Sequence, residues 1–505
     1  MGENRLDHVK KDILWAVISN VFFTIFPFVI RTLFIWHLES EYLGLNSLCT
    51  SIIYVLNAAD FGVANAFVYR LYKPVAEQDI EKACALLSFY KKAYIVIGLF
   101  IFFAGLSLMP FLENFIKRDV PSEVNVYVVF FIYLVNASVS YIVCAYKALI
   151  LLANQRRDYI DAITCLVLSS MYCVQIFFIL QKDYYAYLCV MPLFTVLSNL
   201  IKGMVVKKKY ASYVCRGAIS KECAAGLLKD ILSVAVYKFR DLSRNAFDSI
   251  IISSFVGLTA LSYYQNYYTV LLVPILLRNI LVNAITPSMG NCVATESKQG
   301  ILEVYKIFVF VYVYVSGWFA ICYGCLIQDF IVLWLGEDFI LSEVFALLLV
   351  LYFYVLGFSD QSRMFREAAG LWGTGRAFAT AEMVSNILLN IVLAYWMGIE
   401  GIILATILTI IWINIPFEHY IVYHDFFGHD MKNVVLFYGK AFLEFLAAWW
   451  ITMWSCSFIM LEGLSGLIWK AVFCIAVPPA FFFMLNCKKE ELQYILKRLH
   501  SKAKW

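Results

Sequence analysis

The sequence predicts an all-α integral membrane protein with about fourteen transmembrane helices. Of its 505 residues, 62% are hydrophobic and only 15% are charged, whereas soluble domains carry about 25% charged residues. Apolar runs of about 20 residues, long enough to cross a hydrocarbon core of about 30 Å, recur along the whole chain. These runs are continuous rather than alternating, which excludes a β-barrel.

The apolar runs place the helices in order along the chain. We predict spans near residues 13–36, 43–68, 92–112, 125–150, 159–180, 184–206, 230–255, 258–287, 304–327, 341–360, 378–397, 401–423, 436–459 and 466–486. The positive-inside rule favours this count. Of the 40 Lys and Arg residues, 31 fall in loops and ends that alternate to one side, and three lie in the opposite loops. Both termini are therefore predicted to be cytoplasmic.

The basic segment 207–229 divides the chain into two parts. We predict an N-terminal six-helix lobe at 1–206, this segment as a cytoplasmic linker, and a second six-helix lobe at 230–423. Two extra helices and a basic cytoplasmic tail occupy 424–505. The start of the seventh span at Lys229 repeats the Lys-Asp-Ile-Leu that begins at Lys11, which favours two parallel repeats.

Charged side chains inside the seventh span form its most informative feature, since a charge in the bilayer normally faces a partner or a cavity. At 100° per residue, one polar stripe contains Lys238, Asp241, Arg244, Asn245 and Asp248, with Arg240 at its edge. Two interpretations remain open. The charges neutralise one another and lock two helices together, or the excess of cations binds an anionic ligand.

Polar residues also mark the first, second and eighth spans. They include Asn20 and Arg31, Asn57 and Asp60, and Arg278. If the two repeats face each other, these stripes would line a central water-filled cavity of positive charge. Three other acids, Asp161, Asp360 and Glu382, would carry a proton or bind Na⁺, or would lie at helix ends near the lipid head groups. The second interpretation is favoured for each of the three.

No pattern indicates an enzyme. The sequence has no P-loop, G-x-S-x-G or H-E-x-x-H motif, so a transporter of this sequence would be a secondary transporter or facilitator. Cys322 and Cys325 lie within an apolar span and are predicted to be packing residues. No cofactor and no metal site are predicted, and the net charge of +4 is too small to indicate nucleic-acid binding.

Three stretches carry a family resemblance. The first joins Tyr42–Leu45, Ala59–Ala64 and Leu71–Pro74; the second is Ala153–Arg157; and the third joins Asn386–Asn390, Gly398-x-x-Gly401 and Ala405-Thr406. In order and spacing they resemble the polysaccharide-transporter branch of the multidrug/oligosaccharidyl-lipid/polysaccharide flippase superfamily. The resemblance covers essentially the whole chain and implies a MATE-like fold of two six-helix lobes plus two helices.

The resemblance implies a flippase in the bacterial cytoplasmic membrane. Its substrate would be an undecaprenyl-pyrophosphate-linked oligosaccharide, the repeat unit of a capsule, O-antigen or exopolysaccharide. The implied substrate-binding residues are Arg31, Lys238, Arg240, Arg244, Arg278, Asn20 and Asn57. Asp60, Asp241 and Asp248 would couple transport to a proton or Na⁺. Implied partners are membrane lipids, the polymerase and the chain-length machinery.

Three alternatives stay open. A multidrug cation extruder shares the expected fold, but its substrates would favour an acidic cavity. A flippase for the peptidoglycan lipid precursor shares both the fold and a cationic cavity. A membrane oligosaccharide polymerase belongs to another class, and it would need a large outer loop, whereas the longest predicted outer loops are near 113–124 and 328–340.

Overall fold

The structure is a computed structural model, and the part of the chain that it describes consists mainly of α-helices. It describes residues 22, 25–60, 63–117, 120–220, 222, 224–226, 239, 242, 244–371 and 375–502. These ranges contain no β-strand. The all-α class predicted from the sequence is therefore confirmed.

The chain divides into two compact units, Met1–Ser262 and Tyr263–Trp505. The division falls near the start of the helix Leu258–Thr295, beyond the basic segment 207–229 that the sequence analysis chose as the boundary. The short helix Ala246–Phe255 packs within the first unit, against the helix Ser40–Leu56. The lobe boundaries drawn from the sequence remain predictions.

Nine helices of the first unit are described here. They are α1 Ile25–His37, α2 Ser40–Leu56, α3 Val63–Ala76, α4 Ile80–Leu108, α5 Val126–Ile142, α6 Ala148–Ala153, α7 Arg157–Leu180, α8 Tyr184–Lys209 and α9 Ala246–Phe255. Helices α7 and α8 form a hairpin, and α4 packs on α5. Asp183 is the N-cap residue of α8, because its carboxylate accepts a hydrogen bond from the Ala186 backbone N–H at 2.9 Å.

The second unit contains most of α10 and seven further helices in its described part. These are α10 Leu258–Thr295, α11 Lys298–Leu335, α12 Glu343–Ala368, α13 Arg376–Met397, α14 Ile399–Phe426, α15 Lys432–Ser457, α16 Gly463–Asn486 and α17 Glu490–Lys502. Helices α15 and α16, the two extra helices of the prediction, pack together and against α11. Helix α14 contains two π-helical turns, Ile410–Asn414 and Tyr420–Phe426.

Ten of the described helices are long and apolar enough to cross a membrane, or eleven if Val126–Ile142 and Ala145–Ala153, bent by 43°, form one span. The chain is therefore a multi-pass membrane protein. These eleven coincide with the predicted spans other than the first, second and seventh. The first and seventh are described only in part, as α1 and α9. The second predicted span, near 43–68, consists of α2, a 3₁₀ turn at Asn57–Asp60 and the start of α3, so it is an interrupted helix.

Two glycines of the resembling motifs permit close backbone approaches. A Cβ added to Gly44 in α2 would lie 2.1 Å from the carbonyl oxygen of Leu258. A Cβ added to Gly401 in α14 would lie 2.1 Å from the carbonyl oxygen of Leu393 in α13. Any side chain would force these backbones apart. The two motif glycines therefore have a packing role, one in each unit.

Candidate functional site

An interruption in the second predicted span forms the first candidate site. Helix α2 ends at Leu56, a 3₁₀ turn follows at Asn57–Asp60, and α3 begins at Val63. Interrupted helices in transporters bring polar backbone and side-chain groups to the middle of the bilayer, where substrates and coupling ions bind. The structure thus places two of the predicted site residues, Asn57 and Asp60, together on the turn.

Tyrosines surround the carboxyl group of Asp60. The hydroxyl groups of Tyr94 on α4 and Tyr141 on α5 approach this carboxyl group. The rings of Tyr90 and Tyr94 lie 4.1 Å apart, and those of Tyr94 and Tyr141 lie 5.3 Å apart. The sequence analysis did not select these tyrosines. Their four-residue spacing on α4 placed Tyr90 and Tyr94 on one face, but nothing in the sequence linked that face to Asp60.

Two acceptor atoms at this site lack a hydrogen-bond partner in the described part of the chain. The Oδ1 atoms of Asn57 and Asp60 are buried, and neither has a hydrogen-bond partner among the described residues. Within the same part of the chain, no Lys or Arg forms an ion pair with Asp60. A buried carboxylate without a cation is unfavourable. The arrangement can therefore hold a proton or a small cation on the carboxyl group of Asp60. We call Asn57, Asp60, Tyr94 and Tyr141 the tyrosine site.

Two of the predicted arginines, Arg31 and Arg244, belong to the described part of the first unit. The guanidinium of Arg31 on α1 donates a hydrogen bond to the Ser262 carbonyl at 2.8 Å. Arg244 is 6% exposed and lies in a turn with Asn245. Asp248, in the first turn of α9, is buried.

The predicted polar stripe of the seventh span needs a correction. Helix α9 begins only at Ala246, after the turn formed by Arg244 and Asn245. One helical face therefore does not continue across these residues, because a turn changes the direction of the side chains. Of the remaining predicted site residues, Asn20, Lys238, Arg240 and Asp241 lie outside the described residues.

Arg278 is in the second unit and takes part in a buried ion pair. Its guanidinium donates to Asp360 Oδ2 at 2.7 Å and to the Phe353 carbonyl at 2.8 Å. The side chains of Arg278 and Asp360 are 1% and 5% exposed. The Phe353 ring centroid lies 4.5 Å from the guanidinium. Arg278 is therefore engaged by the protein itself, and its predicted role in substrate binding remains a prediction.

Asp360 binds a second arginine that the sequence analysis missed. Arg363, three residues later on α12, donates to Asp360 Oδ1 at 2.8 Å, and the Tyr312 hydroxyl lies 3.5 Å from Oδ2. The three-residue spacing on one helix was the available signal. The favoured interpretation that Asp360 merely lies at a helix end near head groups is wrong, because its carboxylate is buried and holds two arginines.

A second polar network connects α12, α13 and α14. Arg366 and Glu418 form a buried ion pair at 3.2 Å. Buried Glu382 on α13 accepts a hydrogen bond from the Asn414 amide at 2.7 Å. The Asn386 amide, one turn after Glu382, donates to the Thr406 hydroxyl at 3.1 Å. Glu382 is thus also a buried, hydrogen-bonded acid rather than one at the lipid surface.

Comparisons with known proteins identify the fold. No protein-family model and no curated protein matches the chain in sequence. The structure is similar to "Lipid II flippase MurJ, inward closed conformation", with a TM-score of 0.68 and 13% identity, over 94% of this chain and 99% of that one.

The second similar structure is an inward-facing multidrug resistance MATE family transporter of the MOP superfamily. Its TM-score is 0.63 at 11% identity, over 79% of this chain and 93% of that one. A mutant of the Vibrio cholerae MATE transporter VcmN gives 0.55 at 13% identity, over 82% and 94%. The chain therefore has the fold that MurJ and MATE transporters share, and the MATE-like fold expected from the sequence is confirmed.

Proposed function

We propose that this chain is a flippase for undecaprenyl-pyrophosphate-linked oligosaccharide repeat units in the bacterial cytoplasmic membrane. It would work by alternating access, as a secondary transporter or facilitator. The observation that carries the proposal is the position of two arginine side chains, buried Arg244 and half-buried Arg31, within predicted spans of a fold that a lipid II flippase also has. Repeat units moved in this way would supply the synthesis of a capsule, O-antigen or exopolysaccharide.

The physical argument rests on the diphosphate. The polyprenyl tail of such a substrate stays in the bilayer, but its charged head group must cross hydrocarbon. An unpaired charge at the bilayer centre costs at least about 2.5–3.5 kcal/mol. Guanidinium groups offset this cost because they bind phosphate oxygens through paired hydrogen bonds. We assign this role to Arg31 and Arg244, with Lys238 and Arg240 as further candidates, and Asn57 to sugar hydroxyls.

The tyrosine site would couple transport to an ion. The Oδ1 atom of Asp60 is buried and has no hydrogen-bond partner among the described residues, so the carboxyl group can take up a proton or Na⁺ and lose its charge. Neutralisation would change the stability of the interrupted span between transport states. Asp241 and Asp248 remain further candidates for this role.

One alternative has a specific observation in its favour. The similar structure with the TM-score of 0.68 is a lipid II flippase, and a peptidoglycan precursor also carries a diphosphate on a polyprenyl chain. A cation extruder is favoured only by the fold of the MATE structures, since its substrates would be repelled by arginines. Direct comparison of substrates separates these possibilities.

The decisive experiment reconstitutes the purified protein in liposomes. Fluorescent lipid-linked oligosaccharide, lipid II and a fluorescent drug cation are each followed across the bilayer, with and without a proton or Na⁺ gradient. We expect translocation of the oligosaccharide lipid and a marked loss in Arg31→Gln and Arg244→Gln. Exposed Arg216 provides the matched control, because Arg216→Gln removes the same charge outside the spans.

Each other outcome has a clear meaning. Exclusive movement of lipid II would replace the proposed substrate, and movement of the drug cation alone would refute the cationic-site argument. Joined repeat units in the product would indicate a polymerase. Full activity of the Arg31 and Arg244 variants, at equal protein amounts, would remove the observation on which the proposal rests.

A further inference from the structure

The turn between α6 and α7 contains the motif Ala153–Arg157, to which the proposed function assigns no role. The backbone of Gln155 has φ of +56°, a left-handed conformation that costs a residue other than glycine about 1 kcal/mol or more. The Asn154 side-chain amide donates to the Ile150 carbonyl at 2.7 Å, and the Arg156 N–H donates to the Leu151 carbonyl at 2.8 Å. A tight turn thus fixes where the two arginines emerge.

Arg156, the first arginine of the motif, is held in place by a carboxylate and an aromatic ring. Its guanidinium donates to both carboxylate oxygens of Asp158, at 2.9 and 2.7 Å. It also lies over the Tyr159 ring, 4.1 Å from the centroid. The ammonium group of Lys209, from the end of α8, lies 4.0 Å from the same centroid and bonds to the Tyr159 hydroxyl. Arg156 and Lys209 are therefore joined through one aromatic ring.

The second arginine of the motif points outward. The side chain of Arg157 is 71% exposed and lies 3.4 Å from Asp161. Since α7 and α8 form a hairpin, the start of α7 and the end of α8 lie at the same end of the unit. Lys207 and Lys208 are exposed there beside Lys209. Among the described residues, no carboxylate forms an ion pair with Lys207 or Lys208.

The residues beneath these cations are apolar and add no negative charge. A buried apolar cluster of Leu87, Ile150, Leu151 and Val206 lies there, with Tyr210 packed against the cluster. Burial raises the pKa of Tyr210, although Arg156 and Lys209 oppose the shift, so this phenol stays neutral near pH 7. The two aspartates of the region, Asp158 and Asp161, each pair with an arginine.

We infer that the surface formed by Arg156, Arg157 and Lys207–Lys209, here called the hairpin basic surface, binds the phosphate of an anionic phospholipid. The apolar residues Leu166 on α7 and Met204 on α8 are exposed below it, as they would be against lipid chains. The cations therefore lie where a helix hairpin leaves hydrocarbon, at the level of lipid head groups. Anionic lipids are attracted to such juxtamembrane clusters, and arginine binds phosphate through paired hydrogen bonds.

The test measures lipid binding without measuring transport. Full-length protein is purified and titrated with phosphatidylglycerol, cardiolipin, phosphatidylcholine or a polyprenyl diphosphate, and bound lipid is counted by native mass spectrometry. We expect the two anionic lipids to bind more tightly than phosphatidylcholine, with the difference reduced at high salt. Removing three cations, in the triple variant R157Q/K207Q/K208Q, should weaken anionic-lipid binding roughly 100-fold, at about fivefold per charge.

A matched variant controls for total charge. K73Q/K82Q/K298Q also removes three exposed cations, all outside the hairpin basic surface, and should bind the anionic lipids as the wild type does. K207R/K208R should retain binding, which separates charge from side-chain identity. Thermal unfolding of each variant without added lipid shows whether the fold is intact.

Three results would overturn the inference. They are equal binding of anionic lipid and phosphatidylcholine by the wild type, unchanged binding by R157Q/K207Q/K208Q, and selective binding of a polyprenyl diphosphate with no preference for anionic phospholipid. The last would assign the surface to substrate capture instead. Because none of these measurements involves translocation, failure of the proposed flippase activity would leave the lipid site standing, and the reverse also holds.

Discussion

Two carboxyl groups within predicted spans, one in each unit, have different partners. In the second unit, the carboxylate of Asp360 accepts hydrogen bonds from Arg278 and Arg363, at 2.7 and 2.8 Å. In the first unit, the hydroxyls of Tyr94 and Tyr141 approach the carboxyl group of Asp60, and its buried Oδ1 atom has no hydrogen-bond partner among the described residues. In the part of the chain that the structure describes, cations of the protein therefore neutralise Asp360 but not Asp60.

This difference separates structural polar groups from functional ones. A buried ion pair whose two charges neutralise each other has no free charged group to bind a ligand. Removing one partner of the pair leaves an uncompensated buried charge. A buried acceptor that the protein leaves open is a place for a proton or a cation. We therefore expect substitutions at Asp360 to reduce the stability of the fold, and substitutions at Asp60 to alter ion coupling at nearly constant stability.

The largest change in the free energy of unfolding is expected for Asp360→Ala. The substitution leaves Arg278 buried beside apolar groups without its carboxylate, and removing one partner of a buried pair costs about 3–5 kcal/mol. We expect a large fall in the thermal unfolding midpoint in detergent and a smaller yield of monodisperse protein, both measured by fluorescence-detected size-exclusion chromatography.

A double variant sharpens this prediction. R278M/D360L removes both charges of the pair and should recover most of the stability lost in Asp360→Ala, because replacement of a whole buried pair by apolar residues is often neutral. Equal stability of Asp360→Ala and the wild type would contradict the comparison of Asp360 with Asp60, because Asp360 would then not stabilise the second unit.

The next largest effect is expected at the two close backbone approaches, one in each unit. Gly44→Ala and Gly401→Ala each place a Cβ 2.1 Å from a backbone carbonyl oxygen, and overpacking costs about 1–3 kcal/mol. Gly439 on α15 is the matched control, because no atom lies within 4 Å of its added Cβ. Gly439→Ala should leave stability unchanged or raise it by up to about 1 kcal/mol. Similar unfolding midpoints for all three variants would contradict the packing argument.

A smaller effect on stability is expected at the tyrosine site, together with a large effect on transport. Asp60→Asn keeps the size of the side chain and loses one titratable group, so the free energy of unfolding should change by no more than about 1 kcal/mol. Stimulation of translocation by a proton or Na⁺ gradient should disappear. Asp338→Asn removes an exposed carboxylate as the control. Gradient-stimulated transport by Asp60→Asn at the wild-type rate would exclude Asp60 as the coupling group.

The sequence predicted the helices well, because each apolar run must cross the bilayer on its own and its length is visible in composition. It did not predict the interruption at Asn57–Asp60, because the two polar residues of the turn were interpreted as polar positions within one span. It identified Arg278 and Asp360 separately but not as partners, because 82 residues separate them. Only the tertiary structure brings Arg278 of α10 to Asp360 of α12. The tyrosines around Asp60 were missed for the same reason.

The smallest change in stability is expected for Glu382→Gln, and its effect on transport tests the comparison between the units. A glutamine at 382 can still accept the hydrogen bond from the Asn414 amide. It can also donate to Asn414 Oδ1, which has no partner among the described residues. We therefore expect the unfolding midpoint to stay close to that of the wild type, within about 0.5 kcal/mol. Glu382→Leu leaves the Asn414 amide without this acceptor and should lose about 1–3 kcal/mol.

If Glu382→Gln instead abolishes gradient-driven transport at unchanged stability, an acid of the second unit carries the coupling charge. The assignment of coupling to the tyrosine site of the first unit would then be wrong.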